Sequence, residues 1–183
     1  MKLIILVVVG LMSVSPSANA QTVEETIERA LAAAPSRARD GAAVIKWNAD
    51  HTYETLREGT NRLVCYDRSG EPDRRPFAVQ CTSVANLDRL AQNRRFEAES
   101  EDGDALRAML TAAEEDGTRV LPEYGSLWIA MNGNDQESAR IHTTIAVPGA
   151  TTESTGLPDN SRAGGAWIMS AGTSTAHIMT PGR

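Results

Sequence analysis

Two cysteines, Cys65 and Cys81, are the only ones in this chain of 183 residues. Each falls in a segment that reads as a β-strand. If they join, the two strands are locked side by side and the topology around them is largely decided. Closing a loop of about 15 residues stabilises a fold by roughly 3 kcal/mol in the chain-entropy account. A metal or redox pair is the competing reading. The spacing is far from Cys-x-x-Cys, and His51 is the only histidine nearby in sequence, so a disulfide between Cys65 and Cys81 is the expectation.

That expectation depends on compartment, and the first twenty residues speak to it. Lys2 gives a short positive start, residues 3–12 are apolar apart from Gly10, Pro16 breaks the run, and Ala18-Asn19-Ala20 precedes Gln21. This is the layout of a secretory signal peptide cleaved after Ala20, with an apolar run too short to span a bilayer. The expected product is a periplasmic or secreted domain of residues 21–183, that is 183 − 20 = 163 residues, enough for one domain with its own core. Without Lys2 it carries 18 − 1 = 17 basic against 24 acidic residues, a net charge of −7. A surface of that sign repels phosphate backbones, and Arg74-Arg75 and Arg94-Arg95 are isolated doublets, not a basic stripe. Nucleic acid is excluded as a partner, and no second apolar segment approaches membrane length.

Thr22-Val23-Glu24-Glu25 reads as a capping box, and Val23, Ile27, Leu31 and Ala34 recur at helical spacing until Pro35. The period then changes. Residues 43–47, 52–57, 62–66 and 77–82 read as strands of an antiparallel meander, with a charged loop over 67–76. Val84, Leu87, Leu90 and Ala91 mark a second helix ending near Phe96, and Leu106, Met109, Leu110 and Ala113 a third closed at Gly117. Residues 127–131 and 141–147 return to strand patterning. Residues 149–165 have no periodicity and read as a lid or a mobile loop. Ala166-Trp167-Ile168-Met169 is echoed ten positions later by Ala176-His177-Ile178-Met179, as two strands paired around residues 170–175 would be.

Catalytic motifs are sparse. Gly172-Thr173-Ser174-Thr175-Ala176 imitates a nucleophile elbow, but a strand follows it where the elbow requires a helix. His142 and His177 lie on strands flanking the long loop, and two facing imidazoles would supply half a zinc or copper site, with Met169 and Met179 as soft donors for cuprous copper. Packing or solvent contact explains the same histidines without a metal. The acidic stretch 99–104 lacks the register of a calcium loop. Trp47, Trp128 and Trp167 could stack on a flat ligand, yet a strand tryptophan in an aromatic-poor chain ordinarily fills core.

The runs Ala33-Ala34-Pro35, Arg39-Asp40-Gly41-Ala42 and Arg57-Glu58-Gly59-Thr60-Asn61, with Cys65 just after, resemble a family of small secreted bacterial proteins. That family has a second cysteine downstream and a C-terminal His-aliphatic-Met strand, for which His177-Ile178-Met179 is the counterpart. The resemblance implies export and the cysteine pair, and it brings no activity with it. From the residues themselves, Arg57–Asn61 reads as a tight bend in which Gly59 and Asn61 accept positive φ. As ligand contacts the candidates are Arg57, Asn61, Trp167 and His177.

The expectation is therefore a single α+β domain: an N-terminal helix, an antiparallel sheet built from both ends of the chain, and two helices inserted between. Three functions compete. The first is an exported, non-enzymatic protein that binds a small molecule or protein partner through the C-terminal sheet and the long loop. The second is a hydrolase using His177 with Ser174 or an acidic residue. The third is metal binding through His142 and His177.

Overall fold

Helix α1 (Val23–Ala30) begins where its capping box places it. Glu25 N–H donates to Thr22 Oγ1 at 3.1 Å, and the Thr22 amide donates to Glu25 Oε2 at 2.9 Å. Two amides that the first turn leaves unpaired are thereby satisfied. The structure, a computed structural model, describes residues 21–180; the leader-like segment 1–20 lies outside them. After α1 the chain tightens into a 3-10 turn (Leu31–Ala33) and a short helix α2 (Ser36–Arg39).

Eight strands follow: β1 (Ala43–Trp47), β2 (Tyr53–Arg57), β3 (Leu63–Asp67), β4 (Phe77–Ser83), β5 (Leu127–Gly133), β6 (Arg140–Ala146), β7 (Trp167–Met169) and β8 (His177–Met179). They form one sheet in the order β2-β1-β3-β4-β5-β6-β8-β7. Helices α3 (Leu87–Glu99) and α4 (Gly103–Glu115) leave from β4 and return to its neighbour β5. The architecture is a single α+β domain.

The first four strands are not the simple meander that their alternation suggests. β1 pairs antiparallel with β2 and parallel with β3, so it lies between them. Residues 58–62 must therefore pass beside the start of β1 to reach its far edge. Thr60 and Asn61 amides donate to Gly41 O at 2.8 and 3.0 Å, and Arg57 clips the passage by donating to the carbonyls of Ala42 and Arg39. The glycine in this run does not serve the bend that its sequence context implies. Neither Gly59 nor Asn61 has positive φ; a Cβ on Gly59 would sit 2.6 Å from Ala43 N instead. Gly59→Ala is expected to cost about 2 kcal/mol, because backbone must move to admit the methyl. Urea unfolding checks this, and an unchanged midpoint would show that the crossing tolerates a side chain.

The two faces of the sheet carry separate cores. On one, Ala30, Leu31 and Ala33 pack over Val44, Cys65, Phe77, Val79, Cys81 and Ile129. Full burial of Leu31 contributes on the order of 2 kcal/mol. Arg29 pins α1 there, bonding Asp67 at 2.6 Å and lying 4.6 Å from the centre of the Phe77 ring. On the other face, Leu87 and Leu90 of α3 cover Ile45, Val64 and Tyr66, with Trp47 and Trp128 at the margin. Cys65 and Cys81 are directly opposed across β3 and β4 and joined, with Cα atoms 4.1 Å apart.

Residues 149–165 are more structured than a lid or loop. They hold a helical turn, α5 (Thr152–Thr155), with its own Thr151–Ser154 capping box. Backbone bonds tie them down: Gly149 N to Thr173 O, Gly172 N to Ala150 O and Ile168 N to Pro158 O, each 2.8 Å. Ile168 closes a third core with Val147, Ala150 and Ala176.

Candidate functional site

Side chains at paired positions of a sheet project from the same face. The registers Gln80↔Ala130↔His142, Trp128↔Thr144 and Ala146↔His177 therefore place Gln80, Trp128, His142 and His177 together, on the face that α3 covers. Helix α3 stops short of covering all of it. Between α3 and the strands β4, β5, β6 and β8 lies a cavity of about 280 Å³, lined by Gln80, Arg89, Asn93, Trp128, His142 and His177 among others. Its apolar wall is Pro122, Ala130, Ala146 and Ala176 beside the Trp128 indole.

Much of the polar wall comes from an unusual inner stripe that begins at the N-cap of α3 and runs along the helix. Asn86, Arg89, Leu90, Asn93 and Arg94 follow the i, i+3, i+4, i+7, i+8 spacing of one helix face, and four of the five are polar. The segment 118–126, which runs beside α3, answers this polarity. Gln92 Nε2 donates to Thr118 O and its Oε1 accepts from Val120 N; Arg119 bonds Gln92 and Asn93; Glu123 N donates to Asn86 Oδ1 at 2.7 Å. Arg89 donates to Val120 O and is 4% exposed. It makes no salt bridge among the described residues. Burial first, then the like charge of Arg119, pushes its pKa down to about 10. Glu114 pulls the other way through space, but it is exposed and bonds Ser174.

Two amides at the cavity have their orientation fixed by arginine, which has no acceptor. Gln80 Oε1 accepts from Arg68 Nη1 at 2.7 Å, and Asn93 Oδ1 accepts from Arg119. Their NH₂ groups have no partner among the described residues. His177 Nδ1 lies 2.7 Å from Thr175 O; since a carbonyl only accepts, Nδ1 carries the hydrogen.

The two histidines singled out by sequence thus share a cavity. They enter it from opposite ends, because His142 and the Ala146 that faces His177 are four residues apart on β6, roughly 13 Å along the strand. Among the described residues no group of three or more His, Cys, Asp or Glu gathers to hold a metal ion. Ser174 donates to Glu114 while His177 bonds Thr175, so the two are not hydrogen-bonded to each other. Trp167 pairs with Met179 on the outermost strand and does not line the cavity. Arg57 is spent on backbone carbonyls, and Asn61 on Ala38 O and Leu63 N, beside a separate open groove of about 530 Å³.

Sequence reasoning passed over Arg89, Asn93 and Gln80. The signal was present in α3: Leu87 and Leu90 fix its buried side, and Arg89 and Asn93 fall on that side too. Fold and cavity together define an α+β protein with a small, partly buried, donor-rich pocket. No family model, curated protein or solved structure matches the chain. Among the described residues no helix is long and apolar enough to cross a membrane.

Proposed function

We propose that this is an exported protein that binds a small molecule in the cavity between α3 and the C-terminal half of the sheet, without chemically changing it. The observation that carries the reading is the polar lining: buried Arg89 and Gln80 and half-buried Asn93 hold hydrogen-bonding capacity toward a concave, partly apolar space. Buried donors are ordinarily satisfied, and groups left open beside a pocket suit a ligand. A larger cleft near α4 lacks this property. In that cleft, of about 480 Å³, Arg94 and Arg74 already share the carboxylate of Glu71.

Binding is favoured over hydrolysis because Ser174 donates to Glu114 and makes no hydrogen bond with His177 among the described residues. Export is supported by the leader-like pattern of residues 1–20 and by the closed Cys65–Cys81 bond, which suits an oxidising compartment. The proposed site keeps His177 from the earlier expectation and exchanges the long loop for α3.

The test is a titration of ¹⁵N-labelled protein with small aromatic probes (indole, benzamide, benzoate), followed by amide chemical shifts. Saturable shifts are expected at Trp128, Ala130, His142 and His177. Shifts confined to other surfaces, or none at all, would overturn the reading.

A further inference from the structure

We infer that the ligand of this cavity carries an oxyanion, a carboxylate or phosphate, on a small apolar body, and that Arg89 is the residue that receives the charge. This rests on the binding reading above and adds the chemistry of what is bound.

The polar groups fixed at the head of the cavity, Arg89 and Asn93 on α3 and Gln80 on β4, present donors to it. Arg89 has no carboxylate partner among the described residues, and the Gln80 and Asn93 oxygens are held by Arg68 and Arg119, so their NH₂ ends remain for a ligand. A guanidinium and two amide donors around one space match an acceptor with several lone pairs and a negative charge. Arg119 adds a second positive charge near Arg89, opposed only by the exposed Glu114 among the charges that act on it. Charges on the outer surface are screened over about 8 Å at physiological salt, whereas Arg89 is buried. A buried cation without a counter-ion costs stability, and an anion in the cavity would supply the missing charge.

The opposite wall decides the rest of the molecule. Trp128, Pro122 and three alanines offer no charge, and His142 and His177 stand at the two ends of this apolar stretch. About 280 Å³ lies just below the usual range for ligand pockets, so the body must be small, of the order of one ring. The geometry thus describes a compact amphipathic acid, with its head toward α3 and its ring toward Trp128.

Isothermal titration of the full exported domain with benzoate, phenyl phosphate and benzamide tests this. Benzamide keeps the shape and loses the charge. At least one of the two anions is expected to bind ten-fold or more tightly than benzamide, and the tighter one names the headgroup. Arg89→Met is expected to erase that margin, while Arg74→Met, outside the cavity, leaves it intact. Should Arg89→Met not fold, Asn93→Leu removes one donor and is expected to shrink the margin several-fold. Benzamide binding as tightly as both anions would overturn the oxyanion and leave the pocket reading standing. None of the three binding would overturn both.

Discussion

A Cys65→Ala, Cys81→Ala double variant is expected to lose about 3 kcal/mol of stability, which in a domain of this size lowers Tm by on the order of 10 °C. The bond joins strands that already pair, so it adds little to the folded state beyond what the β3–β4 ladder provides. Its effect falls on the unfolded chain, where it closes a loop over residues 66–80. That loop contains Gly70, Pro72, Pro76 and a run of charge, and has little tendency to collapse unaided. Two further contributions act in the same direction. Both sulfurs are fully buried, in the core that Ala30 and Leu31 close, and alanines leave their volume unfilled. Alanine is the right replacement, since serine would add buried hydroxyls and confuse the comparison. Thermal melts of oxidised protein, reduced protein and the double variant check the result. Equal Tm in all three would show that the ladder alone holds β3 against β4.

The same pair of strands shows what was legible in the sequence. Alternation and strand length located β1, β3, β4, β5 and β6 to within a residue or two, and the cysteines identified β3 and β4 as neighbours. The parallel pairing of β1 with β3 was not legible. It depends on contacts between residues far from adjacent in sequence: Gly59 against Ala43, Thr60 and Asn61 on Gly41, and Arg57 on Ala42 and Arg39. No local pattern distinguishes a connection that passes a strand from one that turns back beside it. The candidate site was half legible. His142 and His177 could be placed on strands of one sheet, but their distance depends on the β6–β8 register, which three-residue strands barely encode. Arg89 and Asn93 were hidden because a charged or polar residue on a helix is ordinarily solvent-facing. Only the position of Leu87 and Leu90 betrays that this side is turned inward.

Glu71 ties the interior of this face together, and its removal is expected to be the most damaging single change that leaves side-chain volume intact. Its carboxylate meets Arg68 at 2.7 Å, Arg74 at 3.4 Å, and Arg94. The Arg68 and Arg94 side chains are only 21% and 17% exposed, and Glu71 itself 16%. Arg94 lies 4.7 Å from the centre of the Trp47 ring and 6.0 Å from that of Tyr66, so leaving the cluster for water would cost it both ring contacts. Glu71→Gln leaves both guanidiniums buried without a counter-charge, and breaking such a pair by deleting one partner costs about 3–5 kcal/mol. Arg74→Ala removes a longer and more exposed contact from the same cluster and is expected to cost less than about 1 kcal/mol. The contrast between the two variants in urea unfolding is the measurement, and equal midpoints would mean that the cluster is a solvated surface network. The consequence extends to the cavity. Arg68 is held by Glu71, and Arg68 in turn fixes the Gln80 oxygen, which leaves the Gln80 NH₂ free at the pocket. Where Glu71→Gln still folds, it is therefore expected to weaken benzoate binding several-fold without touching any residue that lines the site, whereas Arg74→Ala leaves both stability and binding near their original values.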